Sequence, residues 1–133
     1  MHELKVNVRF SETDALGHIN NRSYFIYLEE ARLKFFEALG LVSSVEGWNF
    51  LLASTNCNFF SQGYFNQLLT VRTYLTKVGT KSCELSQDIL CSQTGEPISK
   101  GTAVLVCFNF TEQKSEPIPE RVKEKLVPHL VHS

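Results

Sequence analysis

The chain has 133 residues, 43% of them apolar, and carries 13 Lys and Arg against 14 Asp and Glu for a net charge of −1. That length and apolar share suit a single domain over residues 1–133 with one substantial core. The balanced charge lacks the basic excess that holds a phosphate backbone, which argues against nucleic acid as a partner.

Over residues 4–10, Leu4, Val6, Val8 and Phe10 alternate with Lys5, Asn7 and Arg9, the pattern of a half-buried strand. Residues 11–21, SETDALGHINN, are small, polar and acidic with no period, and read as an ordered loop. Tyr24, Tyr27, Leu28, Ala31, Phe35 and Leu39 then recur at spacings of three and four. Glu29, Glu30, Arg32, Lys34 and Glu37 mostly fill the positions between, so the segment predicts an amphipathic helix. Asn20 or Asn21 suits its N-cap and Gly40 its stop, giving about 18 residues and about 27 Å.

A loop at residues 43–47 leads to four further strands, expected at 49–60, 68–77, 82–92 and 99–110. Val78, Gly79 and Thr80 join the second pair, and Thr94 with Gly95 the third, at hairpin lengths that predict a mainly antiparallel sheet. Pro117 and Pro119 interrupt the last extended piece. Ile118, Val122 and Leu126, four apart, predict a short terminal helix followed by a frayed end. One long helix against five or more strands is an α+β domain.

Apolar runs such as residues 103–108 are far shorter than the roughly 20 residues that cross a bilayer. The charged N-terminal stretch does not read as a signal peptide. The four cysteines, Cys57, Cys83, Cys91 and Cys107, form no CxxC pair and read as buried thiols behaving like small hydrophobes. That usage points to a reducing, cytoplasmic compartment.

The chemistry concentrates in VRFSETDALGHINNRSYFIYLEEAR, residues 8–32. A carboxylate in a loop just before a helix, as Asp14 is, lies near backbone N–H groups that have no intrahelical partner. An acyl carbonyl held there would have its developing oxyanion stabilised while Asp14 attacked the carbon or activated a water. The plainer reading of an isolated Asp14 is a carboxylate that stabilises the helix dipole. The segment closely resembles the signature of the 4-hydroxybenzoyl-CoA thioesterase-like hotdog family of acyl-CoA thioesterases. The resemblance rests on Arg9, Phe10, Thr13, Asp14, Gly17, His18, Asn20, Asn21, Tyr24 and the Glu30, Ala31, Arg32 group. It extends more loosely over nearly the whole chain.

The resemblance implies a hotdog fold, a curved antiparallel sheet wrapped around one long central helix. It also implies hydrolysis of an acyl-CoA or acyl-carrier-protein thioester, with Asp14 as nucleophile or general base. By the same resemblance, the backbone N–H of Asn21 donates to the thioester oxygen and Gly17 turns the chain past the substrate. His18 either orients Asp14 or contacts substrate, or merely braces its own turn; Asn20 either caps the helix or positions substrate. Tyr24 is a candidate pocket residue, whereas Tyr27, Phe35 and Phe36 at helical spacing read as core. Related proteins contact the nucleotide or phosphates of CoA near Thr80, Lys81 and Ser82, although a solvated hairpin turn has the same composition. Asn66 and Gln67 depart from the family's usual acidic pair, which puts the geometry of that turn in question.

Adjacent helical side chains point about 100° apart, so Glu29 and Glu30 cannot act on one substrate together, and Arg32 and Lys34 offer them nearby opposite charge. The family implies a homodimer or homotetramer with active sites at subunit interfaces. Hydrolysis needs no metal or redox cofactor, since coenzyme A belongs to the substrate. Two other readings remain open. A hotdog protein could bind acyl-CoA or acyl carrier protein without turnover, although such a binder has no need of a desolvated carboxylate beside the thioester. A hydratase would need His18 as base with an acidic partner over the acyl chain.

Overall fold

The computed structural model describes residues 1–42 and 49–131. The expected loop at 43–47 and the frayed end at 132–133 lie outside the described residues. Strand β1 spans His2–Asn7, helix α1 Asn21–Ala38, β2 Phe50–Phe59, β3 Leu68–Val78, β4 Ser82–Cys91 and β5 Pro97–Asn109. A two-residue strand, β6, follows at Lys114–Ser115, and helix α2 covers Glu120–Leu126. The strands form one antiparallel sheet in the order β1-β3-β4-β5-β2, with β6 beside β5. Helix α1 packs against this sheet, the α+β hotdog arrangement that the resemblance implies.

Alternation decides which face of the central strands is buried. Cys83, Leu85, Gln87, Ile89 and Cys91 on β4 all point toward the helix side and are buried, while the residues between them are partly open. The first strand ends earlier than the alternation predicts. It stops at Asn7, and residues 10–12 form a 3-10 turn that leaves Phe10 77% exposed instead of on the strand's inner face. The Glu12 carboxylate accepts the Arg9 N–H and closes that turn, ending the extended chain.

Helix α1 runs as its spacing predicts. The Asn20 side chain accepts the Arg22 N–H at 3.1 Å, and Gly40 at φ +75° reverses the chain so that Leu41 N–H returns to the Phe36 carbonyl. Arg32 departs from expectation. It lies four residues past Leu28 on the sheet-facing stripe, so it is 6% exposed and turned inward, although its charge still acts on Glu29. Its guanidinium donates to Gln87 Oε1 at 3.1 Å, and Gln87 Nε2 donates to the Leu28 carbonyl and to Thr73 Oγ1.

These polar groups lie between two apolar clusters. One gathers Phe35, Phe36, Leu75, Leu85 and Leu105 with Val122 and Leu126 of α2. The other gathers Tyr24, Tyr27, Leu28, Val71 and Ile89 at the opposite end of the helix, beside the Asp14 loop. Among the described residues β2 is an outer strand, hydrogen-bonded to β5 on one side only, and most of its residues are exposed.

Candidate active site

Residues 12–20 form a small hairpin. Asn20 N–H donates to the Glu12 carbonyl at 2.8 Å, Thr13 bridges Ile19, and Asp14 N–H donates to the His18 carbonyl at 2.8 Å. Asp14 sits near the tip and is exposed in a single chain. Its Oδ1 accepts the N–H of Leu16 at 2.8 Å and of His18 at 3.1 Å, a local closure of the kind short Asx side chains make. Its second oxygen has no hydrogen-bond donor among the described residues. One carboxylate oxygen therefore holds the loop while the other is left without a partner among the described residues of an exposed side chain.

Gly17 adopts φ +82°, a left-handed conformation that glycine takes without steric cost, and its carbonyl accepts the Phe65 N–H. His18 meets Asp14 through its backbone N–H, not through its ring, and its ring packs edge-on against Tyr64 at 5.1 Å. Asn20 serves as the N-cap, with its side chain occupied by Arg22 N–H. The next residue, Asn21, opens α1, and its backbone N–H finds no acceptor among the described residues. A free N–H at the positive end of a helix, just after the Asp14 hairpin, is suited to a developing oxyanion.

Tyr24 is 2% exposed, its ring edge-on to Phe59 at 4.9 Å, and its hydroxyl accepts the Gly63 N–H. Burial, above all, raises its phenol from the ordinary value. Tyr24 thus braces the 61–67 loop from behind. In that loop Asn66 takes φ +65° and the Gln67 side chain accepts the Tyr64 N–H, so the two residues that replace the usual acidic pair make a closed turn.

Thr80, Lys81 and Ser82 lie elsewhere in the chain. The Asp14 hairpin adjoins the loop before Leu68, whereas the turn follows Val78, about 30 Å along β3. The Thr80 carbonyl accepts Ile118 N–H and the Lys81 carbonyl accepts Cys107 N–H, which wires the turn to β5 and the approach to α2. One chain does not bring this turn to Asp14.

Glu12 and Tyr27 escaped the sequence reading as site residues. Glu12 is 8% exposed; its Oε1 accepts Arg9 N–H and the Tyr27 hydroxyl at 2.9 Å each, and its Oε2 accepts two Arg9 guanidinium N–H groups. Burial disfavours its charge, but the Arg9 and Tyr27 hydrogen bonds outweigh that and hold the carboxyl below its usual range. Burial first, and then Glu12, push the Tyr27 phenol well above the ordinary tyrosine value. The only sequence signal was the Arg9/Glu12 spacing of three.

The four cysteines are free; Cys83, Cys91 and Cys107 are buried and Cys57 is partly so. Burial pushes the Cys83 thiol up to about 12 and raises Cys57 and Cys107, whereas hydrogen bonds from Thr94 and Gln67 lower Cys91 to about 7. Among the described residues no three His, Cys, Asp or Glu side chains converge as a metal site requires. Nor is any described helix long and apolar enough to cross a membrane.

The family model of the Thioesterase-like superfamily matches residues 8–126. The chain is 28% identical over 126 residues to the long-chain acyl-CoA thioesterase FadM of Escherichia coli (strain K12), covering 93% of this chain and 96% of that protein. A solved structure of a predicted thioesterase from Bacillus stearothermophilus matches with a TM-score of 0.90 at 30% identity, covering 98% of this chain and 97% of the other. A thioesterase from Thermus thermophilus complexed with coenzyme A and Zn matches with a TM-score of 0.83 at 25% identity, covering 94% and 96% of the two chains. The hotdog architecture, the Asp14 hairpin ahead of α1 and a family match over residues 8–126 converge: the chain belongs to the Thioesterase-like superfamily.

Proposed function

We propose that the chain hydrolyses acyl-CoA thioesters to the free acid and CoA thiol, with Asp14 as the reacting carboxylate. The observation that carries this reading is the division of labour at Asp14. Oδ1 is bound by Leu16 and His18 N–H, the other oxygen is open, and the unpaired Asn21 N–H follows at the head of α1. The FadM relative and the CoA-bound Thermus structure support an acyl-CoA substrate. An acyl-carrier-protein thioester offers the same reacting carbonyl.

The thioester oxygen would point at the Asn21 N–H. In one route the open Asp14 oxygen adds to the carbonyl carbon, the C–S bond breaks, and the thiolate leaves and takes a proton from solvent. The resulting mixed anhydride is then hydrolysed by water. In the other, Asp14 takes a proton from a water whose oxygen attacks the carbon, and the thiolate receives that proton on departure. Both routes need only water as co-reactant, with coenzyme A entering as part of the substrate. Gly17 lets the backbone pass close to the acyl group, and His18 holds the loop through its backbone N–H.

The unpaired edge of β2 supports a homodimer in which two such strands pair and the sheets become continuous, with a homotetramer as the next level of assembly. Thr80, Lys81 and Ser82 would contact the nucleotide end of CoA from a neighbouring copy, since their own Asp14 is at the other end of β3. Four free thiols are consistent with a reducing, cytoplasmic setting.

The test is thiol release from acyl-CoAs with short, long and aromatic acyl groups and from acyl-carrier-protein thioesters. Wild type should turn over at least one of them, and Asp14→Asn, which keeps the shape, should lose about 10²–10⁴-fold in kcat. Equal rates in the two proteins would move the chemistry away from Asp14. Tight binding without turnover in wild type would leave an acyl-CoA binding protein.

A further inference from the structure

Glu12 ties three parts of the chain together at the candidate site, the end of the first extended segment, the Asp14 hairpin and helix α1. Through its side chain it holds the end of the β1 segment, by Arg9 N–H at 2.9 Å, and the second turn of α1, by the Tyr27 hydroxyl at 2.9 Å. Through its backbone carbonyl it accepts Asn20 N–H at 2.8 Å and the Ser23 hydroxyl at 3.0 Å, the N-cap and first turn of the same helix. The Glu12–Asn20 bond is the base rung of the hairpin that carries Asp14, with the Thr13–Ile19 bridge and the Asp14–His18 bond above it. Asp14 follows one side of that rung by two residues, and Asn21 follows the other side by one.

We propose that Glu12 is a positioning residue, whose buried carboxylate fixes the base of the Asp14 hairpin against α1 and so sets the Asp14 carboxylate relative to the Asn21 N–H. The inference rests on the reading of Asp14 as the reacting carboxylate. Asp14's own hydrogen bonds all stay within residues 14–18, so they shape the tip without fixing where the tip stands relative to the helix. Ile19 N–H on the Gly63 carbonyl tethers the hairpin to the 61–67 loop. Asn20, on the helix side of the rung, accepts Arg22 N–H and Ser23 N–H as the cap of α1, whereas the strand that leads into Asp14 bonds directly to the helix through Glu12. The Arg9 side chain is 77% exposed, so its ion pair with Glu12 contributes little to stability by itself. The bonds to Arg9 N–H and the Tyr27 hydroxyl are geometric, because they fix a 3-10 turn and a helix against one carboxylate. A small misplacement between a nucleophile or base and its oxyanion donor is costly to rate even where it is cheap in stability.

The test is Glu12→Gln, which keeps the side-chain length and one acceptor oxygen but turns an NH₂ toward the Arg9 guanidinium, with Tyr27→Phe as a second variant that removes one donor. Two readouts are taken at a temperature where circular dichroism shows each variant fully folded. The first is acyl-CoA thiol release. Both variants should lose at least tenfold in kcat with KM within about twofold of wild type. The second, independent of activity, is amide exchange at His18 and Asn20, which should speed at least tenfold while β3, β4 and β5 exchange at wild-type rates. A variant with a lowered Tm but unchanged kcat and unchanged exchange at His18 and Asn20 would mark Glu12 as a stabilising carboxylate only and overturn the proposal. Wild type that releases no thiol would sink the hydrolase reading instead, and the His18 and Asn20 exchange alone would then decide whether Glu12 holds the hairpin.

Discussion

The Tyr24 hydroxyl accepts the Gly63 backbone N–H at 3.1 Å, joining the first turns of α1 to the loop before β3 across 39 residues of sequence. Tyr24→Phe keeps the ring against Phe59 but strands a buried N–H, an expected loss of about 1–3 kcal/mol. Urea unfolding should show it as a lower midpoint at unchanged slope. If Tyr24 served chiefly as a wall of the acyl pocket, the substitution would shift KM and leave that midpoint alone.

How much of this was legible in the sequence follows from where the determining contacts lie. Helix α1 was readable because its inner face repeats every three to four residues and both ends carry local stop signals, Asn20 and Gly40. Strands β3 to β5 were readable because alternation survives wherever one face is buried. Arg32 was misassigned because periodicity treats a charge as an outward residue, whereas Gln87, 55 positions away, supplies the acceptor that lets it turn inward. The end of β1 was misplaced for a related reason, since Phe10 completes an alternating run that the Arg9–Glu12 turn cuts short. The Asp14 segment was recognisable as a motif, yet its bracing by Tyr27 and Gly63 comes from contacts 15 or more residues apart, where spacing carries no signal.

Gly101 should tolerate no side chain. A Cβ there would stand 2.8 Å from the Asn56 carbonyl oxygen on β2 and 3.1 Å from Leu28 Cδ1 on α1. Backbone on one side and a packed core side chain on the other leave little room to relax. Gly101→Ala is therefore expected to cost about 1–3 kcal/mol, read as a thermal midpoint lowered by several degrees. Gly79→Ala is the control, since its Cβ would meet the Ser82 carbonyl oxygen at 3.4 Å, an ordinary contact.

The Glu12–Tyr27 pair makes stability pH-dependent at both ends of the scale. Glu12 has a folded-state pKa below its usual 4.5, with burial opposing and the Arg9 and Tyr27 hydrogen bonds prevailing. Its contribution is present above 4.5 and is lost as pH falls from there through the folded value. Tyr27 is shifted upward from 10.0, chiefly by burial and then by Glu12, so its contribution is present below 10.0 and is lost as pH rises beyond that. Unfolding free energies measured across the acid and alkaline ranges should show Glu12→Gln with a shallower acid limb than wild type and Tyr27→Phe with a shallower alkaline limb. Acid limbs of equal slope in wild type and Glu12→Gln would mean that Glu12 titrates alike in the folded and unfolded chain.

The Arg32–Gln87 contact invites a double-mutant cycle, because it places a buried cation between two apolar clusters with an uncharged acceptor at 3.1 Å. Burial lowers the guanidinium from its ordinary value, and Glu29 opposes the shift. Gln87→Leu alone removes the acceptor for Arg32 and the donor to Thr73, and takes from the Leu28 carbonyl a second donor beyond its intrahelical partner, so it leaves the buried cation without its acceptor. Taking the acceptor from a buried charged donor is expected to cost about 1.5–3 kcal/mol. Arg32→Met alone leaves the Gln87 Nε2 bonds intact and should cost less. In the double variant the stranded charge is gone and two apolar side chains meet. Its loss should therefore fall short of the sum of the singles by about 0.5–3 kcal/mol. Denaturant unfolding of the four proteins measures that coupling directly. Additive losses would mean that water reaches the Arg32 guanidinium well enough to replace Gln87.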